Sequence, residues 1–158
     1  MKQWRLNCGV KSHKAYMRIL MVFTIIAAII SSTDVYAADP LYSVSAKDHG
    51  MPFDLVVTET KREPFKSFLS VPGFHKRPAA GSRWLMCAYT DLAIKRGFTH
   101  WTAVYPDESS DIIVVGFFQS ENADVPGTLG SDFVASRAMP PKPASAEVMA
   151  TRLCGMRR

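Results

Sequence analysis

The polar turn PDESSD, Pro106–Asp111, joins two apolar stretches, FTHWTAVY (Phe98–Tyr105) and DIIVVGFFQS (Asp111–Ser120), and shares Asp111 with the second. Both stretches are rich in β-branched and aromatic residues, the composition of strands. A parallel crossover needs a dozen or more residues, so a link this short joins the two as an antiparallel hairpin. Ile112–Phe118 is apolar at odd and even positions alike. That pattern predicts a central strand with both faces covered.

Ahead of this hairpin, RWLMCAYTDLAIKRG (Arg83–Gly97) has helical periodicity. Leu85, Ala88, Tyr89, Leu92 and Ala93 share one stripe, and Trp84, Cys87, Asp91 and Ile94 share another side. Ser82 is placed to cap the start, Lys95 and Arg96 suit the last turn, and Gly97 suits a left-handed exit. Further upstream, DLVVTET (Asp54–Thr60) and FKSFLSV (Phe65–Val71) read as a second hairpin, turned by Thr60–Glu63. Phe65, Ser67, Leu69 and Val71 fall on one of its faces, Lys66, Phe68 and Ser70 on the other. Ala38–Phe53 reads as an irregular lead-in with a short strand near Leu41–Ser45. Glu121–Ser145 carries Pro126, Gly127, Gly130, Pro140, Pro141 and Pro143, and reads as a loose surface arm. A short helix started by Pro143 or Ser145 then runs to Cys154. The order ββαββα predicts an α+β fold: a four-stranded, mainly antiparallel sheet with one long helix on one face and a short C-terminal helix.

The first 37 residues have the three parts of an export signal. Lys2, Arg5, Lys11, Lys14 and Arg18 make a basic front, Ile19–Ile30 an apolar core, and Val35 and Ala37 a small-residue cleavage site. The apolar run has twelve residues, whereas a membrane span takes roughly 20. Residues 1–37 are therefore expected to leave as a signal peptide, with 38–158 as one small domain in the periplasm or secreted; the alternative is an inner-membrane anchor formed by an uncleaved signal. The chain has 19 Lys+Arg against 14 Asp+Glu, a net charge of +5. Five of the basic residues and one acid lie in residues 1–37, which leaves 14 against 13 for the rest. The basic character belongs to the signal, so nucleic acid is not an expected partner.

Cys8 departs with the signal, leaving Cys87 and Cys154 in an oxidising compartment. Two readings stand. Either they form a disulfide, with Cys87 facing a C-terminal segment laid along its helix flank, or they are two buried thiols.

Other candidate chemistry is sparse. Lys61, Arg62, Lys66, Lys76 and Arg77 cluster in sequence and suggest a positive patch for an anionic surface. His49, His75 and His100 are too far apart for metal-ligand spacing, and Asp107, Glu108 and Asp111 lack a calcium-loop frame. Asp91, Ser82 and His100 are the residue types of a hydrolytic triad, but no GxSxG elbow accompanies them. No catalytic, metal or cofactor-binding residue is assigned, and no cofactor is expected.

The run RWLMCAYTDLAIKRGFTHWTAV resembles a pattern in small bacterial cell-envelope proteins, many of them lipoproteins. In those, a helix of the type LxxRAAELTLxxGY leads into an aromatic strand of the type DYFVV. Ala88, Leu92, Gly97 and Phe98 fit the pattern, Trp101 takes the aromatic position, and Glu147–Leu153 is similar to their closing helix. This chain has no lipobox cysteine, and it has Cys87 where those proteins often have Arg. The function of those proteins is unknown, and no site residue is carried over from them. The lack of a catalytic motif fits a non-catalytic binding or envelope-integrity module, with an envelope protein, anionic lipid or glycan as the expected partner. The alternative is a small periplasmic hydrolase with a site assembled from scattered residues.

Overall fold

The hairpin on either side of the PDESSD turn lies in the interior of the sheet in a computed structural model that describes residues 41–156. Strands β4 (His100–Val104) and β5 (Ile112–Phe118) pair antiparallel, Trp101 opposite Phe117 and Ala103 opposite Val115. On the far side of β5 lies β3 (Lys66–Ser70), itself in a hairpin with β2 (Val56–Glu63). Strand β1 (Ser43–Ser45) flanks β2, and β6 (Ala138–Ser145) flanks β4. The sheet is thus six-stranded and antiparallel, in the order β1-β2-β3-β5-β4-β6. The described residues belong to one compact unit, Pro40–Arg158. Residues 1–37, expected to be a signal peptide, lie outside the described residues.

Helix α1 (Ala79–Lys95) covers one sheet face. Its expected stripe is the buried one: Leu85, Ala88, Tyr89, Leu92 and Ala93 pack on Val57, Leu69, Trp101, Ile113, Val115 and Phe117. The helix begins earlier than expected, at Ala79, with Pro78 before it. Ser82 lies inside the first turns, and its hydroxyl accepts from Arg77 Nε at 2.8 Å instead of capping. Proline suits a helix start because it brings no amide hydrogen to satisfy. Gly97 does take the left-handed exit, at φ +76°.

Three expectations are corrected. The segment Thr60–Glu63 is not a turn. Strand β2 runs to Glu63 through an irregularity between Glu59 and Lys61, and the hairpin turns at Pro64–Phe65. The sheet has six strands, not four, because β1 and β6 extend it at both edges. The 121–145 segment is not a loose arm. It holds α2 (Val125–Leu129) and β6. Asp124 caps α2 by accepting from Gly127 N at 3.0 Å. Val125 and Leu129 pack against Val104 and Phe118 on the other sheet face, making a second core.

The β6 prolines fit because of register. Trp101 faces Ala144 and Ala103 faces Met139, so residues 140–143 bulge out of the ladder. Pro140, Pro141 and Pro143 all fall in that bulge, where no ladder amide is required. After β6, α3 (Ala146–Val148) opens with Ser145 as its cap and runs into a π turn, Met149–Leu153. No helix among the described residues is long and apolar enough to cross a membrane.

Candidate functional site

The five cations grouped by sequence separate in space. Lys61, Arg62 and Lys66 gather at the β2–β3 turn, where each meets a carboxylate. Lys61 pairs with Glu63 at 2.6 Å, Arg62 with Glu59 at 2.6 Å, and Lys66 with Asp132 at 2.6 Å. Lys61 and Lys66 also lie over the Phe68 ring. Lys76 and Arg77 follow the opposite end of β3. His75 beside them meets the Ser110 carbonyl, while the turn at Phe65 bonds to Phe117 at the other end of β5. Arg77 stacks 3.7 Å from the Phe74 ring centroid and donates to the Phe74 carbonyl. The linear cluster folds into two separate groups because a strand lies between them.

The triad-type residues do not converge either. Ser82 meets Arg77, Asp91 pairs with Lys95 at 2.8 Å, and the His100 ring meets Thr99 Oγ1 at 2.9 Å. Asp107 is held by Ser109 within its own turn. Among the described residues no three His, Cys, Asp or Glu side chains group as metal ligands.

Sequence reasoning missed a buried ionic network. Glu59 is 1% exposed on the helix-facing side of β2. Its carboxylate accepts from Arg62, from Ser67 Oγ and from the Tyr42 amide. Burial works against ionisation here, but these donors outweigh it and hold the carboxyl below its usual range. Arg96 joins through Ser67 Oγ at 2.7 Å and donates to the carbonyls of Glu63 and Pro64. Its guanidinium lies 4.6 Å from the Phe117 ring centroid. The network ties the end of α1 to the β2–β3 turn. Its sequence signal was the alternation of Val57 with Glu59, which put a carboxylate on the core face.

The flank of α1 opposite β1 forms a cleft of about 730 Å³. Trp84 and Ala88 make its floor with Val44 of β1, and Cys87 and Cys154 lie in its wall. The Cα atoms of that cysteine pair are 5.5 Å apart, a separation compatible with a disulfide. Arg83 Nη2 donates to the Leu153 carbonyl at 2.9 Å beside it, so the C-terminal turn sits on the helix flank that bears Cys87. Phe53 meets the Trp84 ring edge-on at 6.4 Å. At the far end, Lys95 pairs with Asp91 and lies 5.1 Å from the Tyr42 ring centroid. Burial, and then the neighbouring Asp91 carboxylate, push the Tyr42 phenol upward, so it stays protonated and can donate a hydrogen bond. The cleft therefore has an apolar floor, a cysteine wall and a rim with two cations, Arg83 and Lys95, and one carboxylate, Asp91.

Comparison of the chain with protein-family models, with curated proteins and with solved structures finds no match.

Proposed function

We propose that this chain is an exported bacterial envelope protein acting as a non-catalytic binding module, with the cleft beside Cys87 and Cys154 as its ligand site. The observation that carries the reading is that cleft: an apolar floor at Trp84 and Ala88 within reach of charged rim groups. Apolar area supplies affinity in such sites, and a few placed polar groups supply orientation. Two features support export: the basic front, short apolar core and cleavage site of residues 1–37, and a cysteine pair suited to an oxidising compartment. A protein segment is preferred over anionic lipid or glycan as the partner, because Lys61, Arg62 and Lys66 already face carboxylates of this chain.

Two measurements test the proposal. Mass spectrometry of the protein secreted by a bacterial host is expected to give Ala38 as the first residue; an intact Met1 counts against export. An amide-shift titration with a mixture of short peptides is expected to move Trp84, Ala88 and Asp91. Shifts confined to other surfaces would reject the cleft as the site.

A further inference from the structure

The two edges of the sheet are protected unequally. On β6 the prolines of the bulge fill the margin. On β1 the register decides what is free. Glu59 N donates to the Tyr42 carbonyl at 2.8 Å and Ala46 N to the Leu55 carbonyl at 2.8 Å. In an antiparallel pair the hydrogen-bonded positions alternate. Tyr42, through its carbonyl, and Ala46, through its amide, thus face the β2 side, while the Ala46 carbonyl accepts from His49 and Met51 of the following turn. By the same alternation Val44 faces β2, and Ser43 and Ser45 turn their backbone groups outward. The same alternation sends the Tyr42, Val44 and Ala46 side chains to the α1 side, where Tyr42 and Ala46 are buried.

A strand laid beside β1 would sit roughly 4.8 Å away. Every second side chain would then enter the cleft above Trp84 and Ala88. Shape and backbone polarity thus agree on one kind of occupant. Charge narrows it further, because Arg83 and Lys95 outnumber Asp91 on the cleft rim. Arg83 is held only by a carbonyl among its described hydrogen bonds. A symmetric pairing of two copies through β1 has only three residues of strand to use. The side chains of a second copy's Tyr42, Val44 and Ala46 are already packed on its own core, so it has no free apolar side chains at that strand to seat in the cleft.

We infer that β1 is a strand-addition site: an extended acidic–apolar segment of a partner protein pairs with the outward backbone of Ser43 and Ser45 and seats alternate apolar side chains in the cleft. This rests on the cleft being the ligand site. The probe is a capped nonapeptide alternating valine with glutamate or threonine, titrated into the purified protein by NMR. Two further peptides carry N-methyl groups at odd or at even positions, each blocking one edge of the peptide strand.

Binding is expected to shift Ser43, Ser45, Trp84 and Ala88, and only one of the two methylated peptides should lose it. Ser45→Pro removes an outward amide and leaves the β1–β2 ladder intact, and should weaken binding about tenfold. Arg83→Glu should weaken it severalfold, with reduced salt dependence. Binding that shifts Trp84 and Ala88 but tolerates Ser45→Pro and both methylated peptides overturns strand addition and leaves the cleft reading standing. Should Ser45→Pro fail to fold, the methylated peptides decide on the unaltered protein. If no peptide moves the cleft amides, both readings fall. Concentration-dependent dimerisation that shifts Ser43 and Ser45 without peptide assigns the edge to a second copy and also overturns the proposal.

Discussion

Glu59 is ionised inside the core because three kinds of donor meet it there: a guanidinium, a hydroxyl and a backbone amide. Its depressed pKa means the stabilisation is fully present above the unfolded carboxyl value of about 4.3, and is lost as pH falls through the lower folded value. Glu59→Gln should therefore cost about 3 kcal/mol at neutral pH, since Arg62 and Arg96 keep their charges with less to balance them. The variant should also lose part of the acid-induced destabilisation below about pH 4. Urea unfolding at pH 7 and at pH 3 measures both effects; an unchanged pH slope would show that Glu59 does not carry it. Tyr89 is the opposite case. It is fully buried against Trp101, and its hydroxyl has no hydrogen-bond partner among the described residues. Tyr89→Phe removes an unmet polar group and keeps the ring, so it should be neutral or stabilising by up to about 1 kcal/mol. A midpoint that drops on urea unfolding would reveal a bond to that hydroxyl.

At the scale of elements, Gly116 decides whether α2 can lie on the sheet. A Cβ there would come within 2.8 Å of Leu129 Cδ2, in the second core. Gly116→Ala should cost about 1–3 kcal/mol through overpacking and should loosen 125–134 first. Faster amide exchange in that segment than in the strands is the expected signature; uniform exchange would mean Leu129 simply swings aside. The C-terminal turn is held by packing, and its cysteine pair lies at a separation compatible with a covalent tie. Ala146 and Ala150 are buried, Met149 packs on the main core, and the cysteine pair sits at the far end. A link across a sequence separation of 67 residues restricts the unfolded chain by about 4 kcal/mol in the loop-entropy account. Cys154→Ala is expected to cost up to that amount, and to free residues 146–156 before the sheet opens. Two reactive thiols per denatured, unreduced wild-type chain would remove the tie from the account altogether.

At the scale of the whole molecule, what the sequence by itself determined is what local pattern can carry. A six-residue link settled the sense of the β4–β5 hairpin, and the apolar period settled which stripe of α1 is buried. The two-faced apolar run settled that β5 is central and covered on both sides. Helical phase put Cys87 off the buried stripe and left two readings open; the tertiary structure set the C-terminal turn on that flank. Tertiary structure decided the rest, because it depends on partners distant in sequence. β1 has three residues and β6 has three prolines, so neither pattern is strong alone; each becomes a strand only because β2 or β4 offers it a ladder. The linear cation cluster divided because β3 runs between its halves. Glu59 looked like one more polar strand residue until folding brought Arg62, Ser67 and Arg96 around it. The cleft is visible in no single segment, since its floor comes from α1, its margin from β1 and its wall from a turn at the other end of the chain. Local periodicity sets which face of an element is apolar, but only the packed chain sets which backbone edge and which side chains are left for a partner.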